Sequence, residues 1–430
     1  MKLKALIKKL TPEFLIKLYH YKLALLGAIF FGFPSYLRQG FGGQARKLIV
    51  IGVTGTSGKS TTVDFITRIL EEAGNSVVSN SSVRFKIGSK EWPNDLKMSM
   101  PGRFFMQKLL RQGVKEKCKY AVLEITSEGI KQYRHKFIQF DAAVFTNLSP
   151  EHIESHGGFE NYRNEKLKLF KATENIHVIN IDDENAKYFA NIPARKKYFF
   201  GIKNNANLKA ENVNGVNFTV NSVQFNLNLL GDFNVYNALS AIAVATSFKI
   251  PLEICKNALE KVKGIPGRME VVIKDPLVIV DYAHTPEQLE KVYQTFSNCS
   301  ENSKLETRNS KLVCVLGSCG GGRDKWKRPV LGKIAAKYCK EIIITNEDPY
   351  DEDPLEIMEQ VANGIENHPY HIVLDRKEAI KKAIELAKSS DTVIITGKGS
   401  ESWMCVENGK KIPWDDREIA KEALKSKTNY

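Results

Sequence analysis

The chain has few cysteines and none of them falls in a metal-ligand pattern. Seven occur, at positions 118, 255, 299, 314, 319, 339 and 405, an odd number with no C-x-x-C pair. That argues against a zinc cluster and points to a reducing compartment with thiols that serve packing. Long apolar runs are also missing. The longest extends only from Leu23 to Phe33, well short of the ~20 residues a membrane span needs. It has the flanking charge of a signal peptide, but no small-x-small cleavage site follows. No nucleic-acid-binding module is present, and the lysines are spread rather than blocked. The net charge of +14 therefore points to small anionic substrates rather than nucleic acid. With 43% hydrophobic and 26% charged residues the chain is not globally disordered, and 430 residues suffice for two or three domains. No internal repeat is visible.

The N-terminal segment stands apart. Lys2, Lys4, Lys8, Lys9, Lys17 and Lys22 lead into the apolar run, and Pro34 with Gly40-Phe41-Gly42-Gly43 ends it. Two readings stay open: a helix packed on the body of the protein, or a basic amphipathic segment resting on a membrane surface.

What the chain does have is the stretch Gly55-Thr56-Ser57-Gly58-Lys59-Ser60-Thr61. An apolar run, Leu48 to Ile51, precedes it and a helix-like run, Thr62 to Gly74, follows. Strand, glycine-rich turn and helix in that order build a cradle for nucleotide phosphates. The glycines let backbone N–H groups approach phosphate oxygens, and the helix N-terminus adds partial positive charge. Lys59 can reach the β- and γ-phosphates, and the Ser60 hydroxyl can hold Mg²⁺. ATP is the expected nucleotide. The common pattern would place a glycine at Val53, where this loop has Gly52 and Gly55 instead.

Strand and helix patterns alternate from Lys47 to about Val262, with strands at 120–124, 141–147 and 178–181. Residues near 199 to 230 alternate apolar and polar with Asn-rich turns, which suggests a small β-hairpin patch. Gly264-Ile265-Pro266-Gly267 reads as a linker. A second series of buried strands follows at 278–281, 312–317, 342–345 and 392–397, each ending at a polar or Gly-rich turn where open α/β sheets place ligands. Asn298 to Ser310 reads as a surface loop. The expected fold class is α/β: a helical, basic segment over 1–46, a central P-loop-type domain with a mostly parallel sheet over 47–263, and a C-terminal Rossmann-like domain over 264–430.

Three further groups attract attention. Glu124 closes its strand beside the phosphate loop, a natural second Mg²⁺ ligand or a merely solvated acid. His152 and His156 are four apart, which puts them on one helix face if a helix begins there; the H-E-x-x-H order of zinc proteases is absent. Lys166 by spacing alone is one lysine on a solvated helix face.

Taken together these motifs resemble the Mur ligases. Gly55 to Thr61, Glu124 with Thr126-Ser127, Phe145 to His152, Asn161 to Phe170, Gly231 to Ala238, Pro266 to Glu270, Asp281 to Pro286 and Asp415 to Glu418 come in that family's order. The branch most similar is the UDP-N-acetylmuramoyl-tripeptide synthetases, which add the third residue of the peptidoglycan stem peptide. The resemblance implies an ATP-dependent, ADP-forming carbon–nitrogen ligase of peptidoglycan and cell-wall synthesis, and so of cell shape and division. It assigns ATP phosphates to Gly55, Thr56, Ser57, Gly58, Lys59, Ser60 and Thr61, and a nucleotide contact to Asn147. It implies two Mg²⁺ ions, with Ser60, Glu124, His152 and Lys166 as ligands, Lys166 as a carbamate. Asn234 and Asn237 would lie near the adenine, and Arg268 and Asp281 would close over the nucleotide. Thr126, Ser127, Gln132 and Arg134 match acceptor-peptide positions. Glu347, Asp348, Tyr350, Gly397 and Glu401 match positions around the incoming amino acid. A cytoplasmic monomer is expected, its N-terminal segment peripheral to the membrane on the second reading of residues 1–46.

Three departures qualify this. Family members carry an N-terminal domain that grips the UDP end, and residues 1–46 are too few for one, so a lipid-linked or other acceptor, such as a folate or a poly-amino acid, is an alternative, as is a non-catalytic ATP-binding scaffold. Diaminopimelate-adding members carry Asp-Asn-Pro-Arg where this chain has Glu347-Asp348-Pro349-Tyr350 followed by Asp351-Glu352-Asp353. On charge grounds that acidic stretch suits a cationic side chain such as lysine, or else the acids are solvated at a helix start. The Gly-Lys-Gly-His-Glu run appears as Gly397-Lys398-Gly399-Ser400-Glu401.

Overall fold

A computed structural model describes residues 11–36, 38–39, 46–297 and 311–428. The lysines at 2 to 9, the turn at Gly40–Gly43 and the loop expected over 298–310 lie outside the described residues. The chain divides into two compact units. One takes in the chain up to Pro150 together with Gly157–Asn228 and Asp232–Lys263; the other takes in Glu151–His156, Leu229–Gly231 and the chain from Gly264 onward.

The first unit is built on β1 (Ile49–Thr54), β2 (Val77–Asn80), β3 (Arg84–Ile87), β4 (Lys90–Pro93), β5 (Tyr120–Glu124), β6 (Ala142–Phe145), β7 (Ile176–Asn180), β8 (Lys196–Gly201) and β9 (Leu208–Lys209). Their order in the sheet is β9-β8-β7-β6-β1-β5-β2-β3-β4. All neighbours are parallel except around β3, which is antiparallel to β2 and β4. Val50, Ile51, Val53, Ala121, Val122, Ala143 and Val144 are fully buried, because helices cover both faces of the central strands. The chain runs to one side of β1 for β2 to β5 and to the other for β6 to β9. The carboxyl end of β1 thus lies at a reversal of strand order, the position where such sheets bind ligands. Helix Phe233–Ser247, rich in Ala and almost wholly buried, packs against helix Lys59–Glu72.

One expectation needs correction here. The hairpin patch near 199–230 is smaller than its pattern suggested. Only β10 (Glu211–Asn214), β11 (Asn217–Val220) and β12 (Val223–Asn226) form a separate antiparallel sheet, while β8 and β9 extend the main one. The N-terminal helix spans Glu13–Phe30 and ends ahead of Pro34, with Ala24, Gly27 and Ala28 buried where it packs on helix Arg103–Lys115. Among the described residues no helix is long and apolar enough to cross a membrane.

The second unit has β13 (Glu270–Lys274), β14 (Leu277–Asp281), β15 (Leu312–Leu316), β16 (Glu341–Thr345), β17 (His371–Val373) and β18 (Thr392–Thr396), in the order β13-β14-β18-β15-β16-β17. Only β13 runs antiparallel to its neighbour. Beneath the sheet ends, Arg376 grips Asp416 with two hydrogen bonds of 2.9 and 2.7 Å and donates to the Thr396 carbonyl at 2.7 Å. Cys314 and Cys339 are joined as a disulfide, against the expectation of free thiols. Cys118, Cys255, Cys319 and Cys405 keep their thiols, and all but Cys319 are buried.

His135, in the first unit, is buried, and among the described residues its Nδ1 finds no hydrogen-bond partner. Burial, reinforced by Lys136 and Lys168, pushes its imidazole down from 6.5 to about 3. The unfolded chain takes up that proton near 6.5. Stability tied to neutral His135 is therefore intact above that pH and is lost progressively as pH falls toward 3. Urea unfolding checks this. Between pH 7 and pH 5 the wild-type protein should lose about 2 kcal/mol more than His135→Leu. Equal losses would contradict it.

Candidate active site

The carboxyl end of β1 passes into a loop whose shape depends on missing side chains. Gly58 has φ +76° and caps helix Lys59–Glu72. A Cβ there would lie 2.2 Å from Asn237 Oδ1, and one on Gly55 would lie 1.9 Å from Thr146 Oγ1. The loop carbonyls are taken up by side chains from elsewhere in the unit. Lys166 Nζ donates to Gly55 O at 2.7 Å, Lys59 Nζ to Thr56 O at 2.8 Å, and Thr146 Oγ1 and Asn147 Nδ2 to Ser57 O at 2.8 and 3.1 Å. Asn147 Oδ1 in turn accepts from Ser57 N at 2.9 Å. A first helical turn presents N–H groups without intrahelical partners, and Ser60 and Thr61 open this one. The arrangement suits a polyphosphate.

Glu124, at the end of the neighbouring β5, is buried and accepts from Ser60 Oγ at 2.7 Å and from Ser82 N at 2.9 Å. Lys166 is only 2% exposed, so the solvated-face reading of this lysine is wrong. Its ammonium lies 4.6 Å from the centre of the Tyr162 ring, and the Tyr162 hydroxyl shares a 3.0 Å hydrogen bond with Thr56 Oγ1. Lys59, Ser60, Glu124 and Lys166 thus meet around one loop. Asn234 and Asn237 pair with each other at 2.9 Å beside Gly58.

The residues expected to meet the acceptor lie on a short helix and the turn after it. Thr126 Oγ1 accepts from Gly129 N at 3.1 Å and caps helix Ser127–Lys131, whose Ser127 is buried. Gln132 Oε1 accepts from Arg134 at 2.8 Å, and Arg134 also donates to the Met100 carbonyl. Burial holds the Arg134 guanidinium below its ordinary range.

In the second unit His152 is not on a helix face with His156. The helix is the single turn Ile153–His156, and His152 precedes it at φ +56°. The reason is a lock from far along the chain. Asp324 accepts from the N–H groups of Ile153 and Glu154 at 3.1 and 3.0 Å, Glu154 accepts from Lys325 N at 2.7 Å, and Lys327 donates to buried Glu151 at 3.2 Å. Burial raises the Glu151 carboxyl, and Lys327 opposes the shift.

The acidic stretch is not an open anionic pocket. Asp348 accepts from Lys398 Nζ at 2.9 Å and from Cys405 N at 2.7 Å. Lys398 also donates to Glu401 at 2.8 Å. Glu352 pairs with Arg328 at 2.9 Å, Asp351 accepts from Asn408 N, and Asp353 caps helix Pro354–Ala362. With these acids engaged by the chain's own groups, the stretch gives no charge preference for a cationic amino acid. Glu347 is buried and lies so close to Gly397 that a Cβ there would be 1.9 Å from its Oε2; burial raises its carboxyl. Tyr350 N donates to Cys405 O at 3.2 Å. Asp281 also turns inward, accepting from Met269 N and Ala283 N, each at 2.7 Å, so it braces the turn carrying Arg268. The Arg268 guanidinium lies 4.3 Å from the centre of the Tyr282 ring, and Tyr282 donates to Glu401 at 3.2 Å.

Sequence reasoning passed over Ser82, Tyr162 and Asp324. Tyr162 had a usable signal, since it precedes Lys166 by one helical turn; Ser82 and Asp324 had none. Among the described residues no three His, Cys, Asp or Glu side chains cluster to hold a metal by themselves. The hard oxygens of Ser60 and Glu124, 2.7 Å apart beside a phosphate cradle, fit Mg²⁺ shared with phosphate.

Comparison with known proteins identifies the family. The family profile for the Mur ligase middle domain matches residues 53–245, and that for the Mur ligase glutamate ligase domain matches 267–399. The UDP-N-acetylmuramoyl-L-alanyl-D-glutamate–2,6-diaminopimelate ligase of Syntrophomonas wolfei subsp. wolfei is 37% identical over 425 residues, covering 94% of this chain and 82% of that protein. A UDP-N-acetylmuramyl-tripeptide synthetase of Roseiflexus sp. is 35% identical, with 94% and 81% covered. A solved structure of a UDP-N-acetylmuramoyl-L-alanyl-D-glutamate–2,6-diaminopimelate ligase has a TM-score of 0.59 at 30% identity, over 89% of this chain and 79% of that one.

Gly58→Ala tests the loop. It should weaken binding of a non-hydrolysable ATP analogue at least about tenfold by titration calorimetry. Gly74→Ala is the control: Gly74 also has positive φ but nothing within 4 Å of its added Cβ, so affinity should hold. Equal affinities for both variants would contradict the cradle.

Proposed function

The chain belongs to the Mur ligase family, and on that footing we propose that it joins an amino acid to the carboxylate of a muramoyl-dipeptide acceptor, converting ATP to ADP and phosphate. It would add the third residue of a peptidoglycan precursor. The observation that carries this reading is that Glu124 and Lys166, distant in the chain, meet Lys59 and Ser60 at the Gly55–Ser60 loop.

A carboxylate resists attack by an amine. An acceptor carboxylate oxygen therefore attacks the γ-phosphorus of ATP, the bond to the ADP oxygen breaks, and an acyl phosphate forms. The amine of the incoming amino acid adds to that carbonyl. The tetrahedral intermediate expels phosphate, and the nitrogen loses a proton to leave the amide. The chain's part is to hold and neutralise charge: the loop amides and Lys59 grip the phosphates, and buried surroundings keep water from the acyl phosphate. Bound Mg²⁺ supplies positive charge against the phosphoryl oxygens. Two such ions would be held with Ser60, Glu124 and a carbamylated Lys166 among their ligands. Carbamylation makes Lys166 an anion while leaving an N–H to donate to Gly55 O. In this reading the protein is a cytoplasmic monomer whose N-terminal helix contacts a membrane surface.

Purified protein with ATP, Mg²⁺ and a panel of amino acids, offered UDP-muramoyl dipeptide and then the lipid-linked dipeptide, tests the proposal. Phosphate release should require both acceptor and one amino acid. Release that needs neither overturns it. Lys166→Ala should lose turnover by a factor of about 100 or more, with partial recovery on adding short carboxylic acids. Unchanged turnover would refute the carbamate.

A further inference from the structure

Helix Glu13–Phe30 has two apolar faces, and only one is packed. Ala24, Gly27 and Ala28 face the body of the first unit, where Gly27 lies against the Phe104 backbone. The opposite face carries Leu15 (42% exposed), Leu18 (45%), Leu26 (53%) and Ile29 (55%), with Lys22 in the same stripe. Their spacing of three and four residues aligns them along the helix. Phe14 (66% exposed) and Phe30 (75%) lie at its two ends. Scattered exposed apolar side chains need no explanation, but a continuous stripe does.

We propose that this outward face rests on an anionic lipid bilayer. The proposal deepens the membrane contact in the reading above and identifies its chemistry. Charge selects the occupant. Residues 1–39 contain Lys2, Lys4, Lys8, Lys9, Lys17, Lys22 and Arg38 against the one acid Glu13. A segment with an excess of basic residues and an apolar helix face matches anionic headgroups over acyl chains, whereas a second copy of this segment would bring like charges together. The helix, about 27 Å long, lies along the surface rather than through it.

The docked helix is also tied to the proposed acceptor turn. Arg103 donates to the Gln132 carbonyl at 2.9 Å and contacts the His20 ring, and Tyr21 packs on Tyr133 and Phe137. Bilayer contact therefore turns the acceptor end of the first unit toward the membrane.

Co-sedimentation of the full chain with vesicles tests this. Mixed phosphatidylglycerol–phosphatidylcholine vesicles should bind about tenfold more protein than phosphatidylcholine alone, and high salt should weaken the binding. The triple variant Leu18→Glu, Leu26→Glu, Ile29→Glu should stay in the supernatant while its melting temperature and ATP-analogue affinity hold. Lys22→Glu, which perturbs packing least, should weaken binding in the same direction. The proposal is overturned if neither vesicle captures the wild-type protein, if the variants bind as well as wild type, or if light scattering finds a wild-type dimer that the triple variant abolishes. Ligation of a water-soluble acceptor reads the catalytic proposal separately, because these residues lie outside the nucleotide loop.

Discussion

The site in the first unit depends on one constraint: the backbone at residues 55–58 must turn tightly with no Cβ on Gly55 or Gly58, and its carbonyls must not be left unsatisfied. A buried carbonyl without a partner costs about 1–3 kcal/mol. Lys166, Lys59, Thr146 and Asn147 meet that need by donating inward to the carbonyls of Gly55, Thr56 and Ser57. With the carbonyls held on one side, the helix start is oriented as an anion cradle before any nucleotide arrives. The hydrogen bond to Gly55 O is what lets Lys166 be buried on a helix whose composition looks solvated.

The second unit follows the same logic with charge in place of backbone. Lys398, Arg376 and Lys327 are buried cations, and each has a carboxylate partner, in Asp348, Asp416 and Glu151 respectively. Burying a lone ion costs several kcal/mol, so removing either partner strands the other. These pairs fix the strand ends and the turn bearing His152. They also use up acids that, in sequence, looked available to a substrate.

How much was legible follows from where the determining contacts lie. The strands at 278–281, 312–316, 342–345 and 392–396 could be read because strands buried on both faces are continuous apolar runs. The phosphate loop could be read because its glycines, lysine and serine are adjacent. The patch near 199–230 was drawn too wide because Phe199-Phe200-Gly201 ends β8, whose parallel partner β7 lies earlier in the chain. The condition for His152 and His156 to share a helix face, that a helix starts at His152, could not be judged from sequence because the cap Asp324 lies far along the chain. The acidic stretch misled for the same reason: Arg328, Lys398 and Asn408, which engage its acids, are not its sequence neighbours. The Cys314–Cys339 bond likewise has no local signal. The metal-ligand role proposed for Lys166 comes from the resemblance to the Mur ligases, and no spacing rule would have found it.

The central claim is that ATP activates the acceptor carboxyl group as an acyl phosphate. Turnover with an acceptor whose reacting carboxylate carries ¹⁸O measures this most directly. The account predicts one labelled oxygen in the inorganic phosphate for each amide formed. Unlabelled phosphate, or label appearing in AMP, would contradict it.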